Sequence, residues 1–378
     1  MKCYVIVNIE VYKKMTNQER IEKEYAMELL RQHREDLYQH PKLRNLFLEV
    51  TSRCNARCEH CGSRCDGNEQ GKEISAEALK KTLKEISECY DPKQVYLNVT
   101  GGEPLMRKDL FDILEYAVSL GFNWGMTTNG MLINKTMFDK IEKANMQTVS
   151  VSIDGLKETH EKFRKVPNCY EKILKGIDMM IASPVIKIVQ VTTVANKKNL
   201  HELEDLYQLL LKHGVEYWRV VNCDPIGRAN EHSDIFLDLE DYKYLFKFIE
   251  EKSKEGKMKD ITYGCSHYLG LNEEGRIRRN YFICYAGLTV GSILSNGDIF
   301  VCPNVPRRPE LIQGNINKDS FVNVWETKYE CFRNPDRTSN AKCKKCKHWA
   351  YCGGDSFHTW NFDENKPNIC LEPIFDEL

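Results

Sequence analysis

The sequence lacks a long hydrophobic run, a recognisable export signal and an excess of charge of either sign. No stretch approaches the roughly 18 apolar residues that a membrane-spanning helix needs. The first residues, MKCYVIVNIEVYKK, hold only a short apolar run with NIE inside it, unlike a secretory signal peptide. The 54 basic and 55 acidic residues leave a formal net charge of −1, so no overall field attracts nucleic acid or an anionic membrane. We therefore expect a cytoplasmic protein without a nucleic-acid or membrane partner.

Cysteine, by contrast, is abundant, with 16 residues among 378. Without an export signal, so many cysteines favour metal binding or catalysis over disulfides. Four of them fall within residues 54 to 65 and seven lie from Cys284 to Cys370. The dispersed ones are expected to be small buried hydrophobes; they are Cys3, Cys89, Cys169, Cys223 and Cys265.

Strand and helix patterns alternate between residues 45 and 221, which predicts βα units and a parallel sheet. We predict six strands, at 45–50, 94–99, 123–128, 148–153, 186–194 and 216–221. The helices between them are predicted at 75–89, 108–120, 136–144, 170–182 and 199–213. Six units are too few for an eight-unit barrel, so the prediction is an α/β fold with a partial (β/α)6 barrel.

The flanking regions differ from this βα repeat. A strand (YVIVNIEV, 4–11) and a charged helix (17–39) are predicted before it, and after a helix at 239–255 the alternation is predicted to stop. SNGD at 295–298 lies between alternating apolar runs, which indicates a hairpin. The predicted organisation is an N-terminal extension (1–44), the barrel (45–235), a bridging helix region (236–264) and a cysteine-rich domain of short strands, turns and helices (265–378).

The stretch CNARCEHC places Cys54, Cys58 and Cys61 directly after the first predicted strand. Three thiolates can hold three irons of a [4Fe–4S] cluster and leave the fourth iron without a protein ligand. The alternative is a tetrahedral zinc site completed by Cys65 or His60.

Three further motifs lie where predicted strands end: GGEP at 101–104, TTNG at 127–130 and SIDG at 152–155. Glycines let the backbone come close to a ligand, and Glu103 offers negative charge opposite an ammonium group. Ser152 and Asp154 are two apart and share one side of an extended strand. Polar groups at the carboxyl ends of parallel strands suit a ligand crevice.

From 45 to about 230 the chain resembles the radical S-adenosylmethionine (SAM) superfamily, whose cluster loop reads C-x3-C-x2-C after the first strand of a partial barrel. The resemblance implies a [4Fe–4S] cluster on Cys54, Cys58 and Cys61 that binds SAM and, after one-electron reduction, yields a 5′-deoxyadenosyl radical. An external reductant such as flavodoxin or ferredoxin would supply the electron. The implied SAM-binding residues are His60 beside adenine, Gly101, Gly102, Glu103 and Pro104 at the amino group, Thr128, Asn129, Ser152 and Asp154, and Arg164 at the carboxylate.

The C-terminal cysteines resemble a SPASM domain, an extension that holds auxiliary [4Fe–4S] clusters. The chain departs from the family pattern at Ser356, where a cysteine is usual, and Asp355 precedes it. The resemblance implies one or two auxiliary clusters. The distal cluster would be held by Cys343, Cys346, Cys352 and Cys370. The nearer cluster would be held by Cys284 and Cys302, with Asp355 as the third ligand. Its fourth position would be taken by Cys265 or left as an open iron. A zinc ribbon on the four distal cysteines is the alternative.

SPASM-type enzymes mostly modify peptides, so the expected substrate is a ribosomally made precursor peptide and the expected product a thioether or carbon–carbon crosslink. Alternatives are a small-molecule enzyme of tetrapyrrole or quinone-cofactor synthesis and an epimerase with Cys223 as hydrogen donor. A sulfatase maturase is disfavoured because Pro303 follows Cys302. That branch has an aspartate at this position, which acts as a base. A non-catalytic iron–sulfur scaffold would need none of the motifs at the strand ends.

Overall fold

Ten of the strands form one sheet in the computed structural model, which describes residues 16–65, 73–264, 266–335 and 340–372. These strands are β1 Asn45–Glu49, β2 Tyr96–Thr100, β3 Asn123–Thr128, β4 Thr148–Ser152, β5 Ile188–Ala195, β6 Tyr217–Asn222, β7 Asp260–Tyr263, β8 Val290–Ile293, β9 Asp298–Phe300 and β10 Gly314–Asn315. Their order across the sheet is β10-β9-β8-β1-β2-β3-β4-β5-β6-β7. A separate two-stranded ribbon pairs β11 Trp360–Asn361 with β12 Lys366–Pro367.

Helices connect and cover the strands. The longer ones are α1 Asn17–Gln39, α2 Ala76–Cys89, α3 Leu110–Ser119, α4 Lys135–Lys143, α5 Lys157–Arg164, α6 Tyr170–Ile181, α7 Leu203–Lys212 and α8 Leu239–Glu255. Short helices follow in the C-terminal part: α9 Gly270–Glu273, α10 Phe321–Thr327, α11 Glu330–Arg333, α12 Ala341–Lys345 and α13 Trp349–Cys352. Across the described ranges, no helix has both the length and the apolar character to cross a membrane.

The parallel sheet predicted from the sequence is confirmed, since β1 to β6 pair in chain order and in parallel. Their side chains fill the hydrophobic core, as shown by Leu46 and Leu48 of β1, which are fully buried. A short helix, α5, was not predicted; its sequence, KETHEKFR, has few apolar residues to reveal it. The strand predicted at 4–11 lies outside the described residues.

The prediction that the alternation stops after residue 255 is wrong. β7 follows α8 and pairs in parallel with β6, so the sheet gains a seventh βα-type strand. With only four residues, β7 is too short to show a clear pattern in the sequence. The SNGD hairpin is confirmed, because β8 and β9 pair antiparallel across it.

The hairpin does not stand apart from the sheet, because β8 lies in parallel beside β1 on the side away from β2. The first strand is therefore central, and the loop that follows it faces the C-terminal region. α1 packs over the same region: Arg34 Nη1 donates to Tyr351 O at 2.7 Å and Lys23 Nζ to Leu271 O at 3.1 Å.

Candidate active site

The cysteine loop after β1 lines a cavity of about 350 Å³ at the carboxyl ends of the parallel strands. Residues from five strand ends and from the loop that follows β6 contribute to its wall. Of the site residues predicted from the sequence, the cavity brings together Cys54, Cys58, His60, Cys61, Gly101, Gly102, Thr128, Asn129, Ser152, Arg164 and Cys223. Glu103, Pro104 and Asp154 are buried behind this wall.

The GGEP turn is fastened to the start of the cysteine loop by backbone hydrogen bonds. Gly102 N donates to Thr51 O and Glu103 N to Arg53 O, both at 2.8 Å. A Cβ atom at Gly102 would lie 2.2 Å from Arg53 O, and one at Gly101 would lie 2.4 Å from Thr51 O. The two glycines therefore permit the approach of two protein backbones, whereas the sequence pattern suggested approach to a ligand.

Glu103 joins this turn to the end of β3. Its carboxylate accepts hydrogen bonds at 2.8 Å from Thr128 Oγ1 and from Asn129 N. Burial raises the pKa of Glu103 despite these bonds. The Asn129 side chain in turn reaches the cysteine loop, with Nδ2 2.8 Å from Asn55 Oδ1 and 4.0 Å from Cys54 Sγ.

Arg164, at the end of α5, enters the cavity wall from the fourth βα unit. Its Nε and Nη2 donate to Asp154 Oδ2 at 2.8 and 2.7 Å. Asp154 Oδ1 accepts from Val194 N, so both oxygens of this carboxylate are used within the protein. Arg164 Nη1 has no hydrogen-bond partner in the part of the chain that the structure describes and remains for a ligand.

His60 stacks on Phe163, with ring centroids 4.7 Å apart and planes within 9°. Its Nε2 lies 3.7 Å from Asp154 Oδ2, whereas Nδ1 is buried without a hydrogen-bond partner in the described chain. Burial lowers the pKa of His60 to about 4, so the imidazole is neutral near pH 7. A neutral, flat, stacked ring with one open nitrogen fits the expected place beside a purine.

The thiols of the loop fit an iron–sulfur cluster by their chemistry. Three of them face one cavity, beside the Arg164 guanidinium and the Asn129 amide, which stabilise negative sulfur. Burial raises the pKa of Cys54, and that of Cys58 to about 11, so cluster binding must release protons. Among the described residues, no three His, Cys, Asp or Glu side chains are grouped as a site for a single metal ion.

Cys65, the alternative fourth sulfur, is buried in the wall of the same cavity. Its thiol is hydrogen-bonded to Cys61, which holds the pKa of Cys61 below its usual value and raises that of Cys65. In this structure Cys65 is thus a hydrogen-bond donor to a predicted ligand.

A buried polar chain that the sequence did not reveal runs from the cavity into the C-terminal region. His267 Nε2 lies 3.2 Å from Asp224 Oδ1, and His267 Nδ1 lies 2.8 Å from Asp355 Oδ2. Burial lowers the pKa of His267, but Asp355 and Asp224 outweigh it and raise the pKa to about 10. The three residues are 43 and 88 positions apart, so no local pattern could have connected them.

The hydrogen-bonded series Asp224–His267–Asp355 includes Asp355, the predicted third ligand of the nearer cluster. Its Oδ1 accepts from Tyr268 N at 2.8 Å and its Oδ2 faces His267, so a metal would have to share these oxygens with protein partners or displace them. Asp355 N also lies 3.2 Å from Cys352 Sγ, as a donor to a predicted cluster ligand.

Two of the C-terminal cysteines lie on the surface of a small hydrophobic cluster. Cys284 and Cys352 both pack against Met27, Tyr268 and Phe282. Cys302, Cys343 and Cys346 are half-buried, and Cys370 is exposed. Cys265, the other proposed ligand of the nearer cluster, lies outside the described residues.

A second cavity, of about 490 Å³, adjoins the first between the cysteine loop and the C-terminal region. The two share the lining residues Gly62, Ser63, Ile226, Pro303 and Asn304. The second cavity therefore leads to the cysteine loop from the side of the C-terminal region.

Comparisons with known protein families match both halves of the chain. The radical SAM superfamily matches residues 48–210, and the iron–sulfur cluster-binding SPASM domain matches residues 284–347. An AdoMet-dependent heme synthase of Methanosarcina barkeri is 27% identical over 322 residues, which is 81% of this chain and 89% of the relative. The mycofactocin maturase MftC of Mycolicibacterium smegmatis is 25% identical over 312 residues, covering 82% of this chain and 76% of its own.

Solved structures share the fold. SuiB of Streptococcus suis bound to S-adenosylmethionine superposes with a TM-score of 0.69 at 20% identity, over 89% of this chain and 77% of SuiB. SuiB bound to its precursor peptide SuiA superposes with a TM-score of 0.64 at 19% identity, over 99% of this chain and 84% of SuiB.

Proposed function

Because this chain is a radical SAM enzyme with a SPASM domain, we propose that it modifies a peptide, forming a thioether or carbon–carbon crosslink in a ribosomally made precursor. The [4Fe–4S] cluster and SAM that these domains imply supply a 5′-deoxyadenosyl radical, which abstracts hydrogen from an unactivated C–H bond. An external one-electron reductant, such as a flavodoxin or ferredoxin, completes the system.

Different residues of the cavity are assigned to the cluster and to the separate parts of SAM. Cys54, Cys58 and Cys61 would hold the cluster, and the Gly101–Gly102 turn fixes the start of their loop through backbone hydrogen bonds. Arg164, locked by Asp154, offers Nη1 to the carboxylate of SAM, a partner that suits a guanidinium. His60 would lie beside the adenine. Burial of these groups keeps water and competing hydrogen donors away from the reacting carbon.

The observation that supports a peptide substrate is the chemistry of the second cavity. Its charged residues are engaged within the protein: Arg64 pairs with Glu231 at 2.7 Å, Arg307 pairs with Glu49, and Asp298 accepts from Asn296 Nδ2 at 2.7 Å.

Three carboxamides, by contrast, are open in this cavity. The side chains of Asn230, Asn304 and Asn368 line it and make no hydrogen bond within the described ranges. A carboxamide donates and accepts at once, which matches the N–H and C=O groups of an extended peptide. SuiB, of the same fold, binds a precursor peptide.

The test is co-expression of the protein with a short open reading frame beside its gene, followed by mass spectrometry of the peptide. A crosslink removes the mass of two hydrogen atoms, and fragmentation locates the new bond. Cys58→Ala abolishes the change because it removes a cluster ligand. Cys89→Ala is the matched control, since Cys89 is exposed on α2, away from the cavity. An unchanged peptide mass, or only conversion of a residue to formylglycine, contradicts the proposal.

A tetrapyrrole is the second candidate substrate, favoured by the similarity to heme synthases over most of the chain. Arg219 and Arg228 line the first cavity and would meet the carboxylates of such a substrate. The same purified enzyme, incubated with coproporphyrin III in place of the peptide, distinguishes the two: loss of carboxylate groups by mass spectrometry would establish the tetrapyrrole.

A further inference from the structure

Asp224 lies two residues after the end of β6 and lines the cavity that the three predicted cluster ligands share. Its side chain is only 6% exposed. Among the residues that line this cavity in the described chain, Asp224 is the one carboxylate. A charged group so deeply buried is costly unless it is hydrogen-bonded, so its partners decide what it can do.

One oxygen of this carboxylate is fully used inside the protein. Oδ1 accepts from Asn222 Nδ2 at 2.7 Å and lies 3.2 Å from His267 Nε2. Asn222 is itself held by the hydroxyl of Tyr263, and His267 by Asp355. Asp224 is therefore fixed in position from β6, from β7 and from the C-terminal region.

The other oxygen is open. Oδ2 accepts no hydrogen bond from the described residues, and His358 Nε2 lies 3.7 Å from it. Burial lowers the pKa of His358, which leaves that ring neutral near pH 7. A buried, negatively charged oxygen at a cavity wall, without a donor, is the group expected opposite a hydrogen-bond donor of a ligand.

The basic groups around the cavity have partners of their own. Arg164 is bound to Asp154, and Arg228 Nε donates to Cys58 O at 3.0 Å. Arg219 Nη2 lies 3.3 Å from Thr192 Oγ1 on the neighbouring strand. These hydrogen bonds of the three arginines go to groups other than Asp224, so Asp224 Oδ2 is left to meet whatever enters the cavity.

We propose that Asp224 Oδ2 binds a hydrogen-bond donor of the substrate, an amide N–H or an ammonium group, and thereby fixes the carbon presented for hydrogen abstraction. His267 and Asp355 act as positioning residues that hold Asp224 in place. This inference rests on the proposed function and adds the class of substrate group that the reacting segment must carry. A peptide offers such donors at every residue, whereas a carboxylate-bearing ligand is repelled by the same oxygen.

The experiment compares Asp224→Asn and Asp224→Glu with the wild-type enzyme, all with reconstituted clusters. The matched control is Asp112→Asn, which removes an exposed carboxylate on α3 that pairs with Lys80. The first measurement is KM and kcat for the peptide encoded beside the gene, together with the 5′-deoxyadenosine formed per modified peptide. The second is titration with coproporphyrin III, a porphyrin with four carboxylates, followed by its Soret absorbance. Iron content and the cluster absorbance confirm that each variant is folded and loaded.

We expect Asp224→Asn to raise the peptide KM by about tenfold or more, because a hydrogen bond to a charged group is lost. More 5′-deoxyadenosine is then formed per modified peptide, and Asp224→Glu recovers part of the affinity. The porphyrin binds Asp224→Asn more tightly than wild type, and Asp112→Asn behaves as wild type in both assays.

Two results overturn the inference: wild-type peptide kinetics in Asp224→Asn, or a porphyrin affinity that is unchanged or weaker in that variant. If the wild-type enzyme modifies no peptide, the proposed function fails. The porphyrin titration alone then decides whether Asp224 acts on the substrate. A tighter porphyrin complex in Asp224→Asn then still supports a charge directed at the substrate, and equal affinity rejects it.

Discussion

Arg164 directs two N–H groups, from Nε and Nη2, to a single oxygen of Asp154, at 2.8 and 2.7 Å. Both side chains are buried, Asp154 completely. The pair ties the end of α5 to the residues after β4 and sets the direction in which the guanidinium faces the cavity. Asp154 therefore acts on the cavity through Arg164, because it lies behind the wall.

Breaking this pair is expected to cost stability in a pH-dependent way. Burial alone would raise the pKa of Asp154, but Arg164 outweighs it and lowers the pKa to about 2. Asp154→Asn leaves a buried guanidinium without its counter-charge and costs about 3–5 kcal/mol near neutral pH. Because the folded pKa is below the unfolded one, the contribution is complete above about pH 4 and is lost as the pH falls towards 2.

Thermal unfolding of the cluster-free protein between pH 2.5 and 6, values chosen around the usual carboxyl range, measures this effect. The difference in midpoint between wild type and Asp154→Asn should shrink on acidification. Asp139→Asn, which removes an exposed partner of Lys135 on α4, is the control. A difference that stays constant with pH contradicts the role of the ion pair.

Gly102→Ala should detach the GGEP turn from the cysteine loop. The new Cβ would meet Arg53 O at 2.2 Å, so the two backbones must separate, at a cost above about 2 kcal/mol. Gly214→Ala is the control: it has a positive φ of 72° but no atom within 4 Å, so it carries only the conformational strain of about 1 kcal/mol. Urea unfolding and SAM affinity are the measurements; equal losses in both variants would refute the steric explanation.

Cys65→Ala separates the two roles of the fourth loop cysteine. If Cys65 is only a donor to Cys61, the variant keeps the iron of the first cluster and still cleaves SAM, whereas Cys61→Ala loses about four irons. In the cluster-free protein the Cys61 thiol should titrate at higher pH once its donor is removed. Alkylation of Cys61 as a function of pH, resolved by peptide mapping, measures this shift. Loss of iron from the first cluster in Cys65→Ala would make Cys65 a ligand, and the wild-type cluster would then have no open iron.

The metal content of the C-terminal region distinguishes auxiliary clusters from a zinc ribbon. Protein purified and reconstituted without oxygen should hold about eight or more irons per chain and no stoichiometric zinc. Cys346→Ala should remove about four of them, and Cys331→Ala, at an exposed cysteine outside the predicted ligand set, should remove none. Iron near four per chain together with zinc would establish the ribbon instead.

Cys223 tests the epimerase alternative. Its thiol is buried in the cavity wall, and burial raises its pKa, so it stays protonated as a hydrogen-atom donor requires. For a crosslinking enzyme, Cys223→Ala should still form the crosslink. For an epimerase, the variant should lose the epimerised product while 5′-deoxyadenosine is still formed. Chiral amino-acid analysis of the peptide decides between them.

The sequence by itself determined the parallel sheet, the cysteine loop and the motifs at the strand ends. These features are local: a strand needs a run of apolar residues, and a C-x3-C-x2-C loop or a GGEP turn occupies a few consecutive positions. The order of the motifs along the chain also determined that they meet, because the carboxyl ends of parallel strands lie at one edge of a sheet.

Only the tertiary structure decided how these pieces are connected. It paired β7 in parallel with β6, against the expectation that the alternation had ended, and it placed β8 of the C-terminal region beside β1. It showed that Gly101 and Gly102 serve the contact between two backbones, and that both oxygens of Asp154 and of Asp355 are engaged by the protein. It also assembled Asp224, His267 and Asp355 from distant segments. Such contacts depend on packing across the fold, which leaves no periodic pattern in the sequence, so three-dimensional structure is needed to find them.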